Sequence, residues 1–345
     1  MIFTKEYKFM ETSIFIPVVA YIFINLIAII FGLNPQRGIH EFWGLFLVIV
    51  FFITVNLVKK KEIKFLVTLL IACSIVFALI GIYQYIKINK GFINVNSIRI
   101  RGNLGSIFDF AWFLMYMILL SISVFSLKMN NLYEKIFLVS AILIMSIALI
   151  LTYTRGAWLG LISGVLVICF LKDKRIIIPV LLFISLSIYL SSSFKERAKK
   201  IQNFKSTSDY SRIEIWEKGI KIIKDNPLLG VGMENYELAA DKKGKFEVHP
   251  HSHNNYIQQG VNAGILGLAA FLWIIYNLLN KGYGSIKNNL DDPYLKNINI
   301  GCFAGLISFL VSGIVDYSIK NDVSITLFWF LMGLLFIGQK HYLKE

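Results

Sequence analysis

Apolar positions gather into long uninterrupted runs separated by short polar stretches, and these runs recur along nearly the whole chain. Uncharged runs of about 17 to 25 residues are long enough to cross a hydrocarbon layer as helices. The pattern predicts about ten transmembrane helices, near 13–31, 42–58, 65–86, 107–127, 136–153, 157–171, 176–190, 255–279, 298–315 and 324–338. The predicted class is therefore an all-α polytopic membrane protein, with residues 1–345 forming a single membrane domain. The first run follows a short basic, polar start and has no small-residue cleavage site after it, so it reads as a retained span.

One polar interval is too long to be a simple connection. Residues 191–252 form the large extramembrane loop, and long loops of this kind are commonly functional. Within it, Ser211-Arg212-Ile213-Glu214 has capping-box spacing, which predicts a helix beginning at Ser211. Ile213, Trp216, Ile220 and Ile223 then recur at three- and four-residue steps as one apolar stripe, until Asn226-Pro227 ends the helix. Such a helix lies along the membrane or against the bundle.

Composition adds orientation. The chain is 56% hydrophobic, yet carries 35 Lys and Arg against 21 Asp and Glu, a net charge of +14. Lysines crowd the loops at Lys59-Lys60-Lys61 with Lys64, at Lys172 and Lys174-Arg175, and at Lys281, Lys287 and Lys296. Cytoplasmic loops retain such residues, so this side is predicted to face inward and the 191–252 loop outward. A topogenic charge excess explains the basic balance without nucleic acid as a partner. Cys73, Cys169 and Cys302 each fall inside an apolar run, and read as small core residues without disulfide or metal spacing.

Candidate chemistry collects on the predicted outer side. Arg155 lies in Tyr153-Thr154-Arg155-Gly156, with almost no loop between two spans; an arginine so close to hydrocarbon needs a partner, either an anionic ligand or a lipid headgroup. Arg212 falls in the first turn of the loop helix, where free amides favour an anion, although snorkelling at a lipid surface fits as well. Arg99 and Arg101 have the forked donors that grip phosphate oxygens, or stand as solvated charges. His249, His251 and His253 alternate, so that in an extended segment they chelate a metal together; otherwise they are loop residues, with His253 directly abutting the next span as a candidate base. No paired aspartates of the kind that hold a divalent ion for a sugar nucleotide are present, and no metal or other cofactor is assigned.

These segments resemble a known family. Ser211-Arg212-Ile213-Glu214-Ile215-Trp216, Asp225-Asn226-Pro227-Leu228-Leu229-Gly230-Val231-Gly232, His253-Asn254-Asn255-Tyr256 and Gly264-Ile265-Leu266-Gly267 are similar to the O-antigen ligases and O-antigen polymerases, as is Thr154-Arg155-Gly156-Ala157. The resemblance implies a C-type membrane glycosyltransferase of the bacterial cytoplasmic membrane, with its active site at the periplasmic or external face. It implies an undecaprenyl-diphosphate-linked glycan as donor, a glycan or lipid-linked acceptor, membrane lipids as surroundings, and a metal-free inverting reaction. Position by position, His253 matches the proposed general base, and Arg155 and Arg212 match arginines that hold the diphosphate. Arg101 and Arg99, with Asn254 and Tyr256, fall to substrate binding. The chain is shorter than many ligases of the family, which often have twelve spans.

Three functions remain open on this sequence. A ligase attaches finished glycan to an acceptor, whereas a polymerase joins repeat units on the lipid carrier. A lipid-glycan flippase or transporter instead needs ionisable groups near mid-membrane and broken helices in corresponding halves. Here the spans are nearly uncharged in their middles and the arginines cluster outward.

Overall fold

A computed structural model describes residues 12–88, 99–125, 131–176, 178, 208–240, 250–288 and 292–337. The predicted span at 176–190, most of the loop on either side of 208–240, and His249 lie outside the described residues. Within them the chain is helical: α1 (Phe15–Ile30), α2 (Pro35–Phe42), α3 (Ile49–Leu57), α4 (Ile63–Ile88), α5 (Ile107–Val124), α6 (Leu132–Leu151), α7 (Arg155–Leu171), α8 (Ser208–Asp225), α9 (Tyr236–Ala240), α10 (Asn255–Asn288), α11 (Pro293–Ser312) and α12 (Asp322–Ile337). Six helical stretches among the described residues are long and apolar enough to cross a membrane, and α1, α7 and α12 are shorter apolar helices. The chain is thus a polytopic, all-helical membrane protein, and nine of the predicted spans coincide with described helices.

Small residues let the central helices approach. Gly160 of α7 lies against Met115 and Ser308, Gly164 against Ser308 and Leu119, and Gly301 of α11 against Ser123. Apolar side chains gain little by leaving lipid for one another, so close backbone contact of this kind is what holds a membrane bundle together. α5, threaded between α7, α11 and α12, is buried along nearly its entire length. Cys169 and Cys302 are buried as expected, but Cys73 is exposed: it points away from the bundle on α4.

The loops sort into two ends. At one end the lysines are tied down: Lys64 to Glu134 at 3.0 Å, Lys60 to Asp292 at 3.3 Å, and Lys172 to the terminal carbonyls of Ser123 and Phe125. The opposite end gathers residues 99–106, 152–155, 230–237, 250–254 and 313–320. Among the described residues, the four non-glycine residues with positive φ, Asn103, Tyr153, Glu234 and His253, all fall in this second set of loops.

Two sequence expectations are corrected here. α8 begins at Ser208, a turn before Ser211, and Glu214 pairs with Lys218 at 3.0 Å instead of folding back as a capping-box acid. Its buried positions are Ile215, Gly219 and Ile222, while Ile213 and Ile220 of the predicted stripe are exposed. The reason is Gly219, whose missing side chain lets Ile257, Tyr236 and Ser252 pack onto the helix and so selects that face.

The third departure is a broken helix. The predicted uninterrupted span from Asn255 has non-helical backbone at Ala263 and Gly264, the latter with φ 63° and ψ −162°. The segment after α8 fills the gap. Val231 N–H donates to Val261 O at 2.8 Å, Gly232 N–H to Asn262 O at 3.0 Å, and Ile265 N–H to Pro227 O at 2.8 Å. Backbone groups freed inside a membrane helix must find such partners, and here the Pro227–Gly232 loop supplies them.

Candidate active site

His253 is placed by its neighbours in sequence. Asn254 caps α10, its Oδ1 accepting from the amides of Tyr256 at 2.9 Å and Ile257 at 3.0 Å, while its Nδ2 donates to Ile314 O at 2.8 Å. Asn255 completes the clamp: its amide donates to Gly313 O at 2.7 Å and its side chain exchanges two hydrogen bonds with Ser318. The two asparagines therefore fix the 313–318 loop against the start of α10. That brings Asp316 to His253, with Nδ1 and Oδ1 3.6 Å apart.

Asp316 was not singled out from the sequence. It is nearly buried, its Oδ1 accepts from the Tyr317 amide at 2.9 Å, and it lies beside the first turn of α7, where a Cβ on Gly156 would stand 3.6 Å from Oδ2. A carboxylate so placed is favoured by the free amides and dipole of the helix start. The imidazole of His253 is three-quarters shielded, and its backbone is held at φ 49°, a conformation uncommon without glycine. His251 meets it edge-on, ring centroids 4.2 Å apart, and lies tilted against Tyr317 at 5.4 Å. Burial drives the Tyr317 hydroxyl well above its ordinary pKa.

The arginines differ in their surroundings. Arg155 opens α7 and is exposed, and Gly156, which follows it, packs against Asp316. Arg99 is engaged within the protein: Nε donates to Thr152 O and Nη2 to Thr154 Oγ1, both at 2.8 Å, and its guanidinium lies 5.1 Å from the Phe108 ring centre. Partial burial lowers its pKa, offset in part by Asp316. Arg101 is exposed and, with Arg99, Gln84 and Asn103, lines a cavity of about 540 Å³. Arg212 is half-buried on α8, which packs along α10. Tyr256 donates its hydroxyl to Leu310 O at 2.8 Å, so Asn254 and Tyr256 both have clear structural duties.

The opposite flank of Tyr317 is closed by charge. Lys320 Nζ lies 2.6 Å from Glu234 and 3.8 Å from Glu41, joining the 318–320 turn to α2 and to the loop before α9. Among the described residues no group of three His, Cys, Asp or Glu is arranged to hold a metal.

The segment that carries α7, α8, the inserted loop, His253 and the break in α10 is also the part that is similar to known proteins. Residues 140–272 match the family model described as O-antigen ligase. Through this segment the chain is similar to the O-antigen ligases. A Rickettsia conorii protein named as a candidate polysaccharide ligase is 30% identical over 119 residues, 31% of this chain and 26% of that one. Its Rickettsia typhi counterpart is 27% identical over 133 residues, 36% and 29% of the two chains. A Haemophilus influenzae protein without an assigned role is 28% identical over 215 residues, 54% of this chain and 52% of that one. The chain thus matches about a quarter to a half of the length of these relatives. Beyond the family segment, a chain of a peptidoglycan synthase complex, solved in work on the coordination of polymerization and crosslinking, superposes with a TM-score of 0.54. That match covers 95% of this chain and 97% of the other at 13% identity, so what is shared is the fold.

Proposed function

We propose that this protein is an O-antigen ligase-like C-type glycosyltransferase that moves a glycan from a polyprenyl diphosphate to an acceptor hydroxyl at the outer face of the cytoplasmic membrane. The observation that carries the reading is His253 held against buried Asp316 at the arginine-bearing end of the bundle. Asp316 facing Nδ1 favours the tautomer with its proton there, which makes Nε2 the proton acceptor. The acceptor O–H gives its proton to His253 as its oxygen attacks the anomeric carbon. The bond from that carbon to the diphosphate breaks with its electron pair, and the configuration inverts. Arg155 and Arg212 stabilise the departing charge, a task that needs no metal when the donors are preorganised.

The family assignment supports a ligase. Polymerisation of repeat units uses the same chemistry with a different acceptor, and product length separates the two. A transporter would need its broken helix to move. The break in α10 is instead sealed by three backbone hydrogen bonds with the Pro227–Gly232 loop, which favours an enzyme.

The test is transfer by purified protein from a lipid-diphosphate glycan. His253→Ala should lower turnover by about a hundredfold or more while donor binding persists, in line with general-base catalysis. Asp316→Asn should lower kcat with little effect on donor KM, and excess chelator should leave transfer intact. Normal turnover in both variants, or loss of transfer in chelator with rescue by added metal, would overturn this mechanism.

A further inference from the structure

The indole nitrogen of Trp216 is buried, yet no atom accepts its hydrogen. Such a donor is costly to leave unmatched, and a ligand bound here would supply its acceptor. The rest of Trp216 is partly exposed, so the N–H edge is the end turned inward.

Its position follows from how α8 and α10 pack. Gly219 meets Ile257, with Ser252 3.8 Å from where a Cβ would stand, and Ile223 meets Gly260; the two helices therefore run side by side in the same direction. With a rise of about 1.5 Å per residue, Trp216 precedes Gly219 by about 4.5 Å, which brings it level with the chain entering α10 at His253 and Asn254. Arg212 is one turn earlier on the same face. Side chains on a helix lean toward its N-terminus, so the Trp216 ring covers the turn that bears Arg212.

We infer that Trp216 and Arg212 form one anion-binding edge beside His253, with the indole N–H donating to a diphosphate oxygen of the lipid donor that the guanidinium also grips. This rests on the glycosyltransferase reading. It adds a neutral donor, fixed in place by a rigid ring, to the charged one. A neutral N–H bound to an oxygen that gains charge as the glycosidic bond breaks strengthens its hydrogen bond during the reaction without requiring another buried cation.

The experiment measures binding of farnesyl diphosphate and of farnesol to the full-length protein in detergent by calorimetry. Trp216→Phe keeps the ring and removes the donor. It should weaken farnesyl diphosphate binding about tenfold, leave farnesol binding unchanged and leave the melting temperature unchanged. If Trp216→Phe does not fold, replacement of Trp216 by 3-benzothienylalanine, with sulfur in place of N–H, decides the matter and should give the same tenfold loss. Unchanged diphosphate affinity in the folded Trp216 variant, together with a loss in Arg212→Lys, overturns this inference and leaves the proposed function standing. Unchanged affinity in Trp216→Phe, Arg212→Lys and Arg155→Lys alike overturns both.

Discussion

Gly264→Ala tests whether the inserted loop and the broken helix act as one structural unit. At φ 63° and ψ −162°, the Gly264 backbone lies in a region essentially closed to other residues. The new methyl group would also run into the Leu228 carbonyl and stand 2.6 Å from Leu229 N. Backbone strain contributes about 1–3 kcal/mol, and forced overlap in a packed interior about 1–3 kcal/mol more. A loss of about 4 kcal/mol, set against an unfolding entropy of roughly 2.1 cal/mol/K per residue, lowers the melting temperature by about 5 °C. The break is joined to His253 through the first turns of α10, so glycan transfer should fall with stability. Gly44→Ala is the control, since nothing lies within 4 Å of a Cβ built there. The assay is thermal unfolding in detergent, followed by transfer on folded protein. Wild-type melting and turnover in Gly264→Ala would mean that the loop yields at little cost, and the argument that it staples the helix would fail.

Asp292 offers a check at the opposite end. Its carboxylate caps α11 by accepting from the Leu295 amide at 3.1 Å, and that bond, with Lys60 adding to it, holds its pKa below the ordinary value. Asp292→Ala should cost about 1 kcal/mol at neutral pH and Asp292→Asn much less, because asparagine keeps the cap acceptor. The folded-state pKa is lowered, so the charge-dependent part is fully present above the unfolded value of about 3.9 and disappears as pH falls through the folded one. Melting curves of the three proteins at neutral and acidic pH read this directly, and a difference between wild type and Asp292→Asn that grows on acidification would contradict it.

How much could be read from the sequence depends on the range of the interaction. Spans such as 107–127 and 298–315 were legible because hydropathy is a property of consecutive residues. The start of α7 at Arg155 was equally plain, since two apolar runs meet there with almost no loop. The pairing of His253 with Asp316 was not, because it joins positions far apart in the chain through the Asn254 and Asn255 clamp, and neither asparagine announces a long-range partner. The break at Ala263–Gly264 contains no proline. Its only local trace is the glycine pair Gly264 and Gly267, and the inserted Gly230 and Gly232 make sense only beside it. In α8 two apolar stripes compete in the pattern, and the buried one is hidden because its central contact is a glycine, which adds nothing to hydropathy.

Arg99 and Arg101 looked alike in sequence, as two guanidinium groups facing a phosphate, and the structure separates them. Arg99 spans the turn between α6 and α7, with two 2.8 Å hydrogen bonds to Thr152 and Thr154, the residues that lead into Arg155. Lysine, a single point donor on a flexible stem, cannot reproduce that fork. Losing one charged hydrogen bond costs about 1.5–3 kcal/mol, so Arg99→Lys should melt lower and lose transfer as the Thr154–Arg155 turn loosens. Arg101 is exposed at the edge of its cavity, and Arg101→Lys should change stability by no more than about 0.5 kcal/mol. If Arg101 contacts the donor, its lysine variant raises donor KM at an unchanged melting temperature. Measuring melting temperature and donor KM for both variants therefore assigns the two arginines independently. Wild-type melting of Arg99→Lys with a raised donor KM would return Arg99 to the substrate and leave the turn before α7 to be held by its own backbone.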